Sequence, residues 1–445
     1  MPGTIVAPED SDPARLDAAD GQAAAGGLKF RRDIEGLRAV AVLMVVFSHL
    51  GFPGFASGFV GVDVFFVISG YLITSLLAKE YRRRAEASAS GRGRISIVGF
   101  YRRRVLRILP AALTTIAVVL LAGKLLLNRI AFIKLQSEAL WATFFGTNIQ
   151  LIQQATDYFR VNVAQSPLQN FWSLAVEEQF YVVWPLVFLG VALIAGRRRD
   201  GSGWLVAVRA AVVVIGLASL AWSIRSAQID PAAGYFSTFA RAWQLALGAF
   251  IALTPAIAVR MKGKVASVSG LLGLGLLALA LVVCGAEQGY PGWIALVPTG
   301  GAALLICAGL SETGRNPAGR LLSLRLPRAI GRISYSLYLW HWPLIIFAGV
   351  LYGKASTTAG ARVGLLALSF VVATVSYFAI ERPFIRLAHR PKESVGELPP
   401  VEEAEVGTAR RDPADEDGPA SGDGDGELSD AKRLEVERRR RIPKL

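Results

Sequence analysis

Residues 31–50, RRDIEGLRAVAVLMVVFSHL, decide the fold, because two ionisable side chains, Arg38 and His49, lie within the apolar part of this segment, residues 36–50. His49 lies eleven positions after Arg38, so on a helix the two side chains point within about 20° of one direction and lie roughly 16 Å apart along the axis. A charged group inside the hydrocarbon region is costly and marks a functional site by default. The pair therefore predicts a polar cavity in a helix bundle. Two alternatives stay open, an arginine that snorkels to the headgroups and a histidine with a structural hydrogen bond.

The composition around this segment is that of a multi-pass membrane protein. Of the 445 residues 53% are hydrophobic and only 18% are charged, and long uncharged runs separate the charges. The net charge of +14 comes from short basic clusters between apolar runs, as the positive-inside rule requires, so we discount nucleic-acid binding. The only cysteines, Cys284 and Cys307, lie within apolar runs and indicate neither a disulfide framework nor a metal site.

The apolar runs predict an all-α polytopic fold, a bundle of about ten transmembrane helices with a re-entrant or interfacial outer segment at residues 138–154. Ten spans place all the basic clusters on one side of the membrane, so both termini are expected to be cytoplasmic and the protein to lie in the cytoplasmic membrane, in contact with lipid. The predicted spans are residues 34–54, 58–77, 105–127, 172–195, 204–224, 236–254, 265–284, 291–310, 330–350 and 362–380.

The two ends of the chain differ from this pattern. Residues 1–29 are rich in Ala, Gly, Pro and Asp and predict a disordered cytoplasmic segment. Residues 391–445 are rich in Glu, Asp, Gly and Pro and predict a disordered charged tail. We therefore expect a single folded domain, the membrane domain at residues 30–390.

Further polar residues interrupt the predicted spans. Asp63 lies near the start of the second span, where it is a candidate site residue or a helix cap. At mid-depth of the same span, Ser69 and Gly70 are expected to let helices approach closely. Arg104 and Arg107 share one face of the third span and form a candidate phosphate site, the alternative being membrane anchoring.

The fourth and ninth spans add carboxylates and a second histidine. At most one of the adjacent Glu177 and Glu178 is expected to face a site, where it could orient His49. His341 is either a satisfied core histidine or a site residue. At the end of the tenth span, Glu381 beside Arg382 predicts a local ion pair.

Together these segments resemble the integral-membrane acyltransferase family 3 over residues 31–386. The quoted pieces are DIEGLRAVAVLMVVFSHL, GFVGVDVFFVISGYLIT, FYRRRVLRILP, FWSLAVEEQFYVVWPL, RISYSLYLWHWPL and SYFAIERPF, in this order. The family's signature of an arginine, ten residues and a histidine falls on Arg38 and His49, and its paired-arginine motif for the acyl-CoA donor falls on Arg104 and Arg107. Members are similar to O-acyltransferases of O-antigen, peptidoglycan, exopolysaccharide and macrolides.

The resemblance implies transfer of an acyl group, acetyl in the first place, from cytosolic acyl-CoA to a hydroxyl of a carbohydrate or glycolipid acceptor at the outer face, without a metal. Many relatives carry a fused extracytoplasmic hydrolase-like domain, so a separate extracytoplasmic acyl-handling protein is a candidate partner. One alternative is a carrier or flippase for an envelope precursor, without covalent chemistry. Another is an enzyme-like fold that serves only as an assembly partner for an export complex. The predicted site residues are His49, Arg38, Glu177 and Glu178 for catalysis, Arg104, Arg107, Arg103 and Tyr101 for acyl-CoA, and Asp63, Trp172, Gln179, His341 and Trp340 for the acceptor.

Overall fold

The computed structural model describes residues 31–87, 95–155, 165–195, 203–261, 263–285, 289–311 and 316–389. These residues form helices and connecting turns, with no strand among them. The predictions for residues 1–29 and 391–445 fall outside the described residues. The helices are α1 Arg32–His49, α2 Gly61–Glu86, α3 Ile97–Leu126, α4 Arg129–Thr143, α5 Thr147–Ala155, α6 Phe171–Ala195, α7 Gly203–Ile229, α8 Pro231–Phe236, α9 Thr238–Leu253, α10 Pro255–Val259, α11 Gly263–Val283, α12 Leu296–Ala308, α13 Pro317–Leu322, α14 Arg325–Arg332, α15 Ser334–Tyr352, α16 Ala359–Ser376 and α17 Arg382–His389.

The all-α, multi-pass architecture is confirmed. Eight helical stretches within the described ranges are long and apolar enough to cross a bilayer. Two further predicted spans are different: α1 has 18 residues with charged residues in its first turns, and α12 is an apolar helix of 13 residues. The total of ten crossings therefore stays a prediction. The eight stretches are Gly58–Glu86, Ile97–Leu126, Phe171–Ala195, Gly203–Ile229, Pro231–Leu253, Gly263–Val283, Ser334–Thr357 and Ala359–Ala388.

The segment predicted at residues 138–154 covers the end of α4, a turn and most of α5, and α4 begins earlier, at Arg129. Asn128 caps α4 by accepting from the backbone N–H of Ala131 at 2.9 Å. The chain turns between the two helices at residues 144–146, where Phe145 has a φ of 52°. The carbonyl of Phe145 accepts a hydrogen bond of 3.0 Å from Gln179 in α6. The turn therefore rests against the side of a long helix, and its depth in the membrane stays a prediction.

Helices α2 and α9 cross where two glycines meet. A Cβ on Gly70 would overlap the carbonyl oxygen of Leu245, and a Cβ on Gly248 would overlap that of Val67. Each glycine thus faces the backbone of the other helix, which confirms the packing role expected for Gly70. Ser69 has a different role, because its hydroxyl donates to Glu177 in α6.

Candidate functional site

A cavity of about 110 Å³ lies between α1, α2, α3, α6 and α15. Five charged side chains line it, Arg38, Arg104, Arg107, Glu177 and Glu178. All five were singled out from the sequence, and the fold brings them together from three helices. The expectation that at most one of Glu177 and Glu178 faces a site is wrong, because both carboxylates line the cavity. The other lining residues are Val62, Phe65, Phe66, Ile68, Ser69, Leu72, Ile73, Leu76, Ile108, Ser173, Leu174, Tyr181, Ser334, Tyr335 and Tyr338.

The two carboxylates of the cavity both form ion pairs with Arg104. One guanidinium nitrogen of Arg104 lies 3.5 Å from Glu177 and 3.4 Å from Glu178. The guanidinium carbon lies 3.1 Å from the centre of the Tyr181 ring, and the Tyr181 and Ser69 hydroxyls both donate to Glu177. The charge of Arg104 is therefore balanced within the protein.

Arg38 and Arg107 are not balanced in this way. Among the described residues neither guanidinium has a hydrogen-bond or ion-pair partner, although both line the cavity. The charged groups that act electrostatically on Arg38 are Arg107, Glu381, Glu177 and Glu35. Two guanidinium groups with unused donors make this part of the cavity suited to an anionic ligand such as a phosphate.

His49 is paired with His341 at the C-terminal end of α1. His49 Nδ1 lies 2.9 Å from His341 Nε2, and the two rings are inclined by 7°. His341 Nδ1 lies 2.9 Å from the carbonyl oxygen of Leu337, and the Trp342 ring centre lies 4.6 Å from that of His49. The sequence prediction that Glu177 or Glu178 orients His49 is wrong, because both carboxylates bind Arg104 and the histidine partner is an imidazole.

Tyr338 links the histidine pair to the cavity. It lines the cavity, and its ring centre lies 5.6 Å from that of His341. Its hydroxyl is 2.5 Å from the Ser173 hydroxyl and donates to the carbonyl of Asn170 at 3.0 Å. The pair therefore lies one aromatic ring away from the charged cavity.

The other two residues expected at a donor site lie outside the central cavity. Arg103 points to Glu80, with an N···O distance of 3.6 Å, and 47% of its side chain is exposed. The Tyr101 hydroxyl donates to the carbonyl of Val182 at 2.7 Å. Tyr101 lines an adjacent, largely apolar groove of about 380 Å³ that shares Arg104 with the cavity. The structure therefore brings together the Arg104 and Arg107 pair but not Arg103.

Asp63 lies in a closed polar cluster instead of facing the cavity. Its carboxylate forms an ion pair of 2.8 Å with Arg241, and each side chain is only 1% exposed. Gln244 and Tyr290 also donate to this carboxylate, and the Trp172 ring lies 5.6 Å from the Arg241 guanidinium. The geometry favours a packing role over acceptor contact for Asp63 and Trp172.

Gln179 and Trp340 also lie outside the lining of the cavity. Gln179 donates to Asn148 at 2.9 Å and accepts from Thr238 at 2.5 Å, so it holds α6 against α5 and α9. Trp340 is 8% exposed, and its indole N–H has no hydrogen-bond partner among the described residues. These contacts give no direct support for substrate binding.

Three residues near these sites were missed or misassigned from the sequence. Glu381 accepts from Ser336 at 2.8 Å and makes no ion pair with Arg382 within the described chain, so the predicted local pair is wrong. A π-helical turn, Tyr377–Glu381, places it there. Arg241 was overlooked although it is an ionisable residue in an apolar run. Arg362 donates to the carbonyl of Gly51 at 2.5 Å, two residues beyond His49.

The part of the chain that forms this site is also the part that resembles known proteins. A family model described as an acyltransferase domain matches residues 31–381. O-acetyltransferase OatA of Staphylococcus aureus is 33% identical over 358 residues, which make up 79% of this chain and 56% of the relative. The putative peptidoglycan O-acetyltransferase YrhL of Bacillus subtilis is 30% identical over 364 residues, or 79% of this chain and 54% of the relative.

The chain spans just over half the length of these curated relatives. No solved structure matches it. The family expected from the sequence motifs is confirmed by the model match. Because that match extends over the charged cavity and the histidine pair alike, the chain belongs to the acyltransferase family of multi-pass membrane proteins.

Proposed function

We propose that the protein is a membrane O-acyltransferase that moves an acyl group, with acetyl the first choice, from cytosolic acyl-CoA to a hydroxyl of a glycan acceptor at the opposite face. The observation that carries the proposal is one cavity with the partner-free guanidinium groups of Arg38 and Arg107 and, one ring beyond it, the His49–His341 pair. Cationic groups suit a phosphorylated donor, and an imidazole suits proton transfer from a hydroxyl.

The donor is assigned to the arginine end of the cavity. Arg104 and Arg107 are three residues apart on α3, and Arg107 retains donors for the phosphates of acyl-CoA. Arg38 lies roughly 16 Å from His49 along α1, too far to touch atoms that react at the histidine. We therefore assign Arg38 to the donor's arm rather than to the proton transfer. The acyl group must reach through the bundle towards Tyr338.

The chemical step is assigned to His49. It takes the proton of the acceptor hydroxyl while the hydroxyl oxygen attacks the thioester carbon. The new C–O bond forms as the C–S bond breaks, and coenzyme A leaves as the thiolate, which then takes up a proton. The negative charge that develops on the thioester oxygen during this attack needs a cation or an oriented hydrogen-bond donor beside that oxygen.

The acceptor is proposed from the relatives. One curated relative is named a putative peptidoglycan O-acetyltransferase, so an envelope glycan is the first acceptor to test. Positive-inside topology with cytoplasmic termini would place the arginine end in the cytosol and the histidine end outside. An acceptor that enters from outside would then meet His49 first.

The test is turnover of radiolabelled acetyl-CoA by membranes that contain the protein, with a crude envelope extract as acceptor. Label in envelope glycans or glycolipids with the wild type, and none with His49→Ala of equal abundance, would support acyl transfer and identify the acceptor fraction. Absence of His49-dependent label with acetyl-CoA and with longer acyl-CoAs would favour the carrier alternative.

Arg107→Gln is expected to raise the KM for acyl-CoA by about tenfold or more, because a charge-assisted phosphate contact contributes about 1.5–3 kcal/mol. Arg103→Gln is the matched control, since it removes the same charge from the same helix at an exposed ion pair with Glu80. Steady-state kinetics with varied acyl-CoA measure both. An equal rise in KM for the two variants would show that Arg107 acts only through the general positive charge of the surface.

A further inference from the structure

We infer that His341 is a positioning residue that fixes the tautomer of His49, so that the lone pair offered to the acceptor lies on Nε2. The inference rests on the proposed function for the identity of the base. The arrangement of protons in the resting pair follows from the geometry and can be tested without turnover. His341 touches His49 and not the reacting atoms.

The first step concerns His341 Nδ1. It lies 2.9 Å from the carbonyl oxygen of Leu337, one turn earlier in α15. A carbonyl oxygen can only accept a hydrogen bond, so this nitrogen must carry the proton.

The second step concerns the charge of His341. Its side chain is 0% exposed, and no carboxylate within the described residues contacts either imidazole. A buried cation without an anionic partner is strongly disfavoured, so His341 is neutral in the resting pair. With the proton on Nδ1, its Nε2 carries a lone pair and can only accept.

The third step carries this constraint to His49. The 2.9 Å contact between His49 Nδ1 and His341 Nε2 needs one donor, and His341 Nε2 cannot supply it. His49 Nδ1 must therefore carry a proton. In neutral His49 the other nitrogen, Nε2, is left with the lone pair that a general base needs.

A neutral imidazole in this role differs from the aspartate that orients the histidine of a serine protease. It fixes the ring without adding a negative charge within an apolar helix, where such a charge is costly. The hydrogen bond between the rings also becomes charge-assisted once His49 Nε2 has gained the acceptor's proton. The pair therefore favours the protonated base only after the proton has arrived.

The direct test is nitrogen NMR of the full chain in lipid nanodiscs with ¹⁵N-labelled histidine. The chain has only three histidines, His49, His341 and His389, so His49→Gln and His341→Gln variants assign the signals. Two-bond ¹H–¹⁵N correlations separate the two neutral tautomers from the cation. We expect the Nδ1–H tautomer for both His49 and His341 at neutral pH. An Nε2–H tautomer or a cation at either residue would overturn the inference, whatever the outcome of the acyl-transfer assay.

Kinetics give a second test. His341→Ala leaves His49 Nδ1 without an acceptor, whereas the amide oxygen of His341→Gln can replace it. We expect kcat to fall by about tenfold or more in the alanine variant, as for other groups that orient a functional histidine, with KM for acyl-CoA unchanged and part of kcat recovered in the glutamine variant.

Leu339→Ala is the packing control, because Leu339 is fully buried in the same helix and has no polar side-chain atom. It should lower the thermal midpoint without changing kcat. If His341→Ala behaves like Leu339→Ala, or if the glutamine variant is no better than the alanine one, His341 has a packing role only.

Discussion

His49→Gln is expected to lower acyl transfer by roughly two to four orders of magnitude, the range over which general-base catalysis contributes. Glutamine keeps a polar group that can bond to His341 but cannot take a proton at neutral pH. Because the arginines assigned to acyl-CoA line the cavity and His49 lies beyond it, binding of acyl-CoA should be unchanged. Equilibrium binding of acyl-CoA and single-turnover transfer, measured on the same preparation, separate the two effects.

Ser48→Ala is the matched control for this prediction. Ser48 precedes His49, and its hydroxyl makes an exposed hydrogen bond of 3.1 Å to the carbonyl of Ala56. Loss of this hydrogen bond should leave the rate of acyl transfer nearly unchanged, since an exposed hydrogen bond contributes little to stability. Substantial transfer by folded His49→Gln would remove His49 from the chemical step.

Arg241→Met is expected to destabilise the protein by about 3–5 kcal/mol, because it leaves the buried Asp63 carboxylate without its counter-charge. The two side chains are each 1% exposed and join α2 to α9. The double variant Asp63→Leu with Arg241→Met removes both charges and should recover much of this loss, since buried pairs are often replaceable by apolar residues. Thermal unfolding in detergent, followed for both variants at equal protein concentration, measures the difference.

Arg84→Met provides the comparison for a pair near water. Arg84 bonds Glu80 at 2.9 Å, but 41% of its side chain is exposed. Such exposed pairs contribute about 0–1 kcal/mol to stability. The midpoint of thermal unfolding of Arg84→Met should therefore be close to that of the wild type. If Arg241→Met shifts the midpoint no more than Arg84→Met does, the buried cluster does not hold α2 against α9.

The sequence predicted the fold class and singled out the charged residues that line the cavity, for a clear physical reason. Ionisable residues within apolar helices are rare and turn inward, so Arg38, Arg107 and the Glu177–Glu178 pair could be singled out one by one. The same rule applied to Arg241 would have found it as well. Its helix, α9, was predicted as a span, but the arginine within it was not weighed.

Pairing between helices could not be predicted. His49 and His341 are 292 residues apart and Asp63 and Arg241 are 178 apart, and helical periodicity says nothing about which faces of distant spans meet. A carboxylate was therefore a reasonable partner for His49, and only the fold shows that Arg104 takes both glutamates. Asp63 and Trp172 were expected at the acceptor site for the same reason, because depth in the membrane alone does not separate a cavity from a closed cluster.

The crossing of α2 and α9 has a consequence for how related sequences can diverge. Gly70 and Gly248 each face the backbone of the opposite helix. A new side chain at either position would overlap main-chain atoms of the partner helix. A substitution on that helix changes only its side chains, so it cannot remove the overlap. Among homologues we therefore expect no correlated exchange at these two positions. Each glycine should be conserved independently of the other. In a homologue that lacks one of them, the two helices should lie farther apart.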